Sequence, residues 1–269
     1  MDREALWHIL RREYRYNTPS NRSFFDVYIP VVSTLAYYLR IIIVILKGSF
    51  FATIGKYDRK RWANSSVGIL NAVEISGGKW HISGIKGLAK NNGPVVYVAN
   101  HMSMIDTFIF PCLILQFHDA TFVLKEILLK YPFFGRLLKA INPIAVSRKN
   151  PRQDLKTVLN KGTSLISQGY SIIIFPQSTR SEVFDASLFN SLGVKLAGRA
   201  GVPVVPVALK TDFYVKGKFI KGFGSISPGK SLHAKFGDPI PVDSNTREVN
   251  QKVISFISDN LKEWGCRVK

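Results

Sequence analysis

Cysteine is scarce in this 269-residue chain: only Cys112 and Cys266 occur. Two thiols so far apart build neither a disulfide framework nor a ligand-spaced cluster, so a stapled secreted scaffold and a zinc-ribbon class are excluded and no metal site is expected. Acidic residues are scarce too. Asp+Glu number 18 against Lys+Arg 37, a formal net charge of +19. A surface with that balance seeks anions, whether nucleic acid, an acidic membrane face or phosphorylated substrates. Repeats and low-complexity linkers are absent as well. Hydrophobic residues at 46% with charged residues at 20% exclude a disordered chain, and this length buries a substantial core without covalent help.

The apolar residues concentrate near the N-terminus. Residues 29–46 read IPVVSTLAYYLRIIIVIL with Arg40 as the sole charge, and after Lys47 and Gly48 the chain resumes as SFFATIG. The stretch starts too deep for a signal peptide and lacks a small-residue cleavage site. It approaches the ~20 apolar residues that a membrane-crossing helix needs. However, basic residues flank both sides: Arg11, Arg12, Arg15 and Arg22 before it, Lys56 and Arg59 after it. A single span would carry one basic flank across the bilayer. The sequence therefore predicts two shorter helices lying in the membrane interface, with Arg40 and Lys47 snorkelling to headgroups. A true span and a buried pair of core helices are the alternatives.

Beyond about Trp62 the pattern alternates between short strands and helices. Strands are predicted over 73–76 and 80–85 around Gly77-Gly78, and over 94–99 (PVVYVA), 170–175 (YSIIIF) and 204–209 (VVPVAL). The last three are continuous apolar runs, as in strands buried on both faces. Helices are predicted over 106–117, 154–168 with Gly169 as its C-cap, and 187–200. Val249, Val253, Phe256, Ile257, Leu261 and Trp264 give an amphipathic C-terminal helix. The fold class expected is α/β, a central and mostly parallel sheet flanked by helices.

One motif match fails on context. Residues 224–231, GSISPGKS, fit the phosphate-loop pattern GxxxxGK[ST], but LHAKFGDPIP follows, which alternates like a strand. No helix can begin there to converge backbone N–H groups on a phosphate. Three other segments carry chemistry. In NHMSMID (100–106), His101 stands just past the end of a buried strand and Asp106 falls in the next helix. A histidine paired with a carboxylate is a general base for a hydroxyl, and strand C-termini in open α/β sheets are where ligands bind. His233 and Asp238 repeat the spacing, but His233 lies within an alternating strand, where its role is structural. FPQSTRS (175–181) is a polar turn after a strand, and Arg180 there suits a phosphate because a guanidinium forks onto two oxygens. The run 144–149, IAVSRK, ends in another basic pair. Pro203 and Pro206 in GVPVVPVAL place that strand at a rim or an edge.

Taken in order, NHMSMID, INPIAVSRK, FPQSTRS and GVPVVPVAL resemble the blocks of the 1-acyl-sn-glycerol-3-phosphate (lysophosphatidic acid) acyltransferase family, NHxSxxD, a second block ending in a basic residue, FPEGTRS and V-P-V-x-P. The resemblance covers roughly residues 73–240. It implies a membrane-associated helical segment over 1–62 and an acyltransferase domain over 63–269. The implied reaction moves a fatty acyl group from acyl-CoA or acyl carrier protein to the hydroxyl of lysophosphatidic acid, giving phosphatidic acid, with no cofactor beyond the thioester co-substrate. His101 would deprotonate the acceptor and Asp106 would hold the imidazole. Arg148 and Arg180, helped by Ser147 and Thr179, would hold the acceptor's phosphate, with Gln177 and Ser178 in the same substrate-binding block. Ser103 is a helix-start residue and not a nucleophile.

The implied partners are an anionic membrane surface, a lysophospholipid and the acyl donor, with no nucleic acid, and the active site would face the cytoplasm. The third block departs from the family, which has Glu and Gly where this chain has Gln177 and Ser178. That departure keeps another lyso-lipid acceptor open as an alternative, as it does a catalytically silent lipid-binding relative.

Overall fold

The computed structural model describes residues 1–20, 30–177, 179–213, 224–243 and 245–269. Arg22, the first residue of the apolar stretch and Ser178 therefore lie outside the described residues. In chain order the elements are α1 (Arg3–Glu13), β1 (Tyr16–Asn17), α2 (Pro30–Thr53), α3 (Arg59–Ile75), β2 (Lys79–Ser83), α4 (Ile85–Lys90) and β3 (Val96–Ala99). They continue with α5 (Ile105–Ile114), β4 (Asp119–Lys125), α6 (Phe134–Ala140), β5 (Ile144–Val146), α7 (Pro151–Ser167), β6 (Tyr170–Ile174) and β7 (Val183–Phe184). The last are α8 (Leu192–Ala200), β8 (Val204–Lys210), β9 (Ser231–Phe236), α9 (Thr246–Glu263) and β10 (Arg267–Val268).

The main sheet has the order β1-β2-β9-β8-β3-β6-β4-β5. Its pairings are parallel except β1–β2 and β8–β9. Strands β8, β3, β6, β4 and β5 thus point the same way, and their C-terminal ends share one edge. Side-chain alternation along β3 explains the two layers. Tyr97 and Ala99 join the core beneath α1, α2, α3 and α5, whereas Val96 and Val98 join the core beneath α7, α8 and α9. Both faces of the strand are dry, so its sequence is apolar throughout. Each such buried valine or isoleucine contributes roughly 1.5–3 kcal/mol.

Three local expectations are corrected. The apolar stretch forms one helix, α2, instead of two, because Gly48 does not interrupt it. A side chain there would meet Leu137 Cδ2 at 2.7 Å and Tyr57 Cε2 at 3.2 Å, so the glycine admits a neighbour against the helix. Residues 73–75, expected as a strand, are the last turn of α3. Asp58 caps that helix by accepting from Arg61 N at 2.7 Å, and Gly77 at φ +85° closes it, Gly78 N donating to Val73 O. The β-branched Val73 and Ile75 mimic a strand locally, but helical packing against α5 decides. Finally, β8 is an interior strand. Pro203 precedes it, but Pro206 lies within it, opposite Val98. Its missing N–H falls where β9 turns away, since Pro206 O accepts from Gly237 N at 2.8 Å.

The first 17 residues are built into the same layers. Leu6 and Leu10 of α1 are buried, Trp7 Nε1 donates to Cys112 O at 2.8 Å, and β1 pairs with β2. Glu74 is buried and accepts from Tyr16 Oη at 2.5 Å and Thr18 Oγ1 at 2.8 Å, tying β1 to α3. Residue 62 falls inside α3. As the sequence indicated, His233 is structural: its ring lies between His81 and Trp264, with centroids 4.8 and 4.6 Å away. Burial, with His81 and Lys210 nearby, lowers its pKa to about 4.

Gly84 supplies a direct test of this architecture. It sits at φ +82° at the end of β2, and an added Cβ would stand 1.8 Å from Phe236 O of β9. Gly84→Ala is expected to lower unfolding stability by at least about 2 kcal/mol. Gly93→Ala, with nothing within 4 Å of its Cβ, is expected to change it by less than about 0.5 kcal/mol. Urea midpoints in detergent check the pair, and equal effects would refute the β2–β9 packing.

Candidate active site

Three neighbouring strands end together at the site. β3 runs out at Ala99, β6 at Ile174 and β8 at Lys210. Asn100 extends the β3–β8 contact by one residue. Its Nδ2 donates to Leu209 O at 2.7 Å and its Oδ1 accepts from Leu209 N at 2.8 Å. On the other side, His101 N donates to Gln177 Oε1 at 2.9 Å, and Ser181 N donates to His101 O at 2.9 Å. The backbone of His101 is thereby fixed between the ends of β8 and β6 before its ring makes any contact.

The ring is then fixed twice. Phe175 stacks on it with centroids 4.4 Å apart, and Nδ1 lies 2.8 Å from Asp106 Oδ2. A carboxylate only accepts, so Nδ1 carries the hydrogen and Nε2 is left as the basic nitrogen. Asp106 is 0% exposed. Its Oδ2 also accepts from Met102 N at 2.6 Å and Ser103 N at 2.8 Å, and its Oδ1 accepts from Thr211 Oγ1. Three N–H groups and a hydroxyl converge on one carboxylate in the first turn of α5, which is how a buried charge is tolerated. Ser103 Oγ donates to Thr211 Oγ1 at 2.8 Å and accepts from Ile105 N at 3.1 Å. That hydroxyl is spent on the helix start.

His101 opens on a cavity of about 1260 Å³. Its apolar lining includes Val123, Leu124, Leu128, Val158, Ile174 and Phe175, and Arg148, Thr179 and Arg180 line it as well. Lys125 and Lys195 add two further cations. Three carboxylates also line the cavity, Asp154, Glu182 and Asp212, against four cations: Asp154 accepts from Ser147 N at 2.9 Å and Arg148 N at 2.7 Å, and Asp212 pairs with Lys230 at 2.6 Å. An apolar lining beside a group of cations suits an amphiphile with an anionic head.

The residues singled out by the sequence therefore divide. His101, Arg148, Thr179 and Arg180 meet at the cavity, and Asp106 stands directly behind His101. Ser147 is a turn residue, its Oγ donating to Asp154 Oδ1 at 3.2 Å and accepting from Lys149 N at 3.1 Å. This turn holds Arg148 at φ +60°. Gln177 is buried behind the loop, where a neutral amide oxygen suffices to accept from His101 N. Thr211 and Phe175 were not recognised from sequence. Thr211 is 105 residues from Asp106, and no local spacing announces that contact.

Comparisons with known proteins bear on the domain and its fold. The acyltransferase family model matches residues 80–210, which contain all four blocks. A 1-acyl-sn-glycerol-3-phosphate acyltransferase of Pseudomonas aeruginosa is 28% identical over 207 residues, 76% of each chain. A probable enzyme of that name from Mycoplasma genitalium is 34% identical over 137 residues, 48% of this chain and 50% of the relative. One from Cocos nucifera is 30% identical over 125 residues, so the chain matches only 40% of that relative. Among solved structures, the 1-acyl-sn-glycerophosphate (LPA) acyltransferase PlsC from Thermotoga maritima superposes with a TM-score of 0.65 at 19% identity. The superposition covers 88% of this chain and 97% of that one, showing a shared fold. Block order, fold and relatives coincide: residues 80–210 match the acyltransferase family model, in a chain similar to the 1-acyl-sn-glycerol-3-phosphate acyltransferases.

Proposed function

We propose that the chain transfers a fatty acyl group from a thioester, acyl-CoA or acyl carrier protein, to the hydroxyl of lysophosphatidate, giving phosphatidate. The observation that carries this reading is the His101–Asp106 pair at the edge of a cavity that also holds Arg148 and Arg180. His101 Nε2 takes the proton of the acceptor hydroxyl, while Asp106 holds the ring and stabilises the imidazolium. The acceptor oxygen attacks the thioester carbonyl, a C–O bond forms and the C–S bond breaks. The imidazolium returns its proton to the leaving thiolate, so the products are ester and free thiol. No serine ester intervenes, in keeping with the commitment of Ser103 Oγ to Thr211. Arg148 and Arg180 hold the acceptor's phosphate, and the apolar lining takes an acyl chain.

The apolar helix α2 supports a reaction at a membrane surface. Val32–Thr53 is long and apolar enough to cross a bilayer. Yet Tyr37, Tyr38 and Ile41 are buried against the domain, and Tyr38 Oη donates to Gly224 O at 2.7 Å. The opposite stripe, including Leu35, Leu39, Ile42, Leu46 and Phe50, is exposed. A helix packed lengthwise on its domain with an apolar outer face fits one leaflet better than a crossing. The excess of cations directs that face to an anionic leaflet, as on the cytoplasmic side.

Thiol release in detergent tests the reaction. Wild type is expected to release thiol from a long-chain donor only when lysophosphatidate is present. His101→Ala is expected to be slower by about 10²–10⁴-fold while the protein still folds, its unfolding midpoint modestly lowered by loss of the hydrogen bond to Asp106. Release independent of acceptor, or a His101→Ala rate near wild type, contradicts the mechanism. Arg180→Ala is expected to raise KM for lysophosphatidate by about tenfold, leaving KM for the donor within about twofold. An unchanged acceptor KM removes Arg180 from the phosphate site.

A further inference from the structure

A second apolar surface stands beside the cavity, on the connection from β4 to α6. The 3-10 turn Glu126–Lys130 and the residues after it leave Ile127 43%, Tyr131 51% and Phe133 51% exposed. Single exposed apolar residues are ordinary, but three on one short connection form a patch. The connection is tightly built. Gly135 N donates to Tyr131 O at 2.9 Å, and a Cβ on Gly135 would stand 2.4 Å from Leu129 O. Phe133 is held at φ +57°, where a bulky side chain is seldom found.

Position links this patch to both the cavity and α2. Lys125 and Leu128 of the same connection line the cavity, so successive side chains face inward and outward. The helix that follows, α6, is tied to the C-terminal end of α2. Arg136 Nη1 donates to Thr53 Oγ1 at 3.1 Å, and Leu137 packs at Gly48. That is the end of α2 where Phe50 and Ile54 are exposed. Apolar surface therefore runs from α2 across 127–133 to the cavity wall. Leu155 of α7 is also exposed and also lines the cavity.

We propose that residues 127–133 are a lipid-contacting doorway, separate from α2, which enters an anionic leaflet and opens the cavity sideways to it. The inference rests on the acyltransferase reading and names the acceptor's route: tail past Leu128, phosphate met first by Lys125. Charge identifies the occupant. Lys125 and Lys130 border the patch on a chain of net charge +19, which repels a second copy and attracts anionic headgroups. Aromatic and aliphatic tips beside lysines are the composition of an interfacial contact, where ring bodies bury and ammonium groups snorkel.

Two measurements on the full chain test the doorway. In a Cys266→Ser background, with Cys112 buried, Ile127→Cys is labelled with an environment-sensitive dye. Vesicles of phosphatidylglycerol and phosphatidylethanolamine carrying nitroxide lipid are expected to quench the dye at least about twofold, and uncharged phosphatidylcholine vesicles much less. A dye that stays unquenched while the protein floats with the anionic vesicles overturns the proposal. So does quenching by a second copy of the chain without lipid. This readout is independent of acyl transfer, so it stands even where the reaction assigned above fails. The second measurement uses Phe133→Asp, a residue that tolerates positive φ. Acyl transfer to vesicle-borne lysophosphatidate is expected to fall about tenfold or more, and transfer to a short-chain, water-soluble acceptor to stay within about twofold. Equal losses on both acceptors, or none on vesicles, contradict the doorway.

Discussion

The buried carboxylate of Asp106 organises the centre of this protein. It accepts from His101 Nδ1, from Met102 N and Ser103 N, and from Thr211 Oγ1, and none of it reaches solvent. A charge in that position is stabilised by these four donors, and losing one costs stability because it leaves an under-satisfied anion in a low-dielectric interior. The arrangement works in both directions. The loop after β3, the first turn of α5 and the end of β8 meet at Asp106 in the folded domain. When they meet, the ring of His101 has a single tautomer and a single orientation. Stability and the orientation of the His101 ring come from the same set of hydrogen bonds.

The rest of the molecule supplies what this centre acts upon. Parallel strands bring the ends of β8, β3, β6, β4 and β5 to one edge, so residues far apart in sequence surround one cavity. β4 and β5 contribute Lys125 and the turn bearing Arg148, and the turn after β6 contributes Thr179 and Arg180. The apolar lining and the outward face of α2 are the surfaces that the proposed reaction assigns to lipid. A positive chain with an apolar outer helix and a cation-lined cavity is consistent throughout with an anionic amphiphile taken from a membrane.

Much of this was legible in the sequence, for definable reasons. PVVYVA, YSIII and VVPVAL read as strands buried on both faces because no charge and only the small Ser171 interrupts them, and β3, β6 and β8 are those strands. His101, Thr179 and Arg180 lie just beyond the ends of predicted strands, so locating β3 and β6 placed them at the C-terminal edge of the sheet. What was misread depended on distant partners. The strand expected at residues 73–76 is helix because α5 packs on it, and Gly48 leaves α2 unbroken because Leu137 fills its place. Gln177 illustrates the same limit. By sequence it is a departure from a family pattern at the substrate, whereas in the fold its amide oxygen serves the backbone of His101. Thr211 had no signature at all, since its hydroxyl matters only for what lies opposite it.

Nitrogen-15 NMR of the His101 imidazole in the detergent-solubilised protein at about pH 8 addresses the centre directly, since the two ring nitrogens of a neutral histidine report which one carries hydrogen. With Asp106 accepting at Nδ1, the expected spectrum has a protonated Nδ1 and an unprotonated Nε2, and Asp106→Asn or Thr211→Val is expected to broaden or reverse that preference. A wild-type ring protonated at Nε2 would leave no base facing the acceptor and would contradict the role assigned to the His101–Asp106 pair.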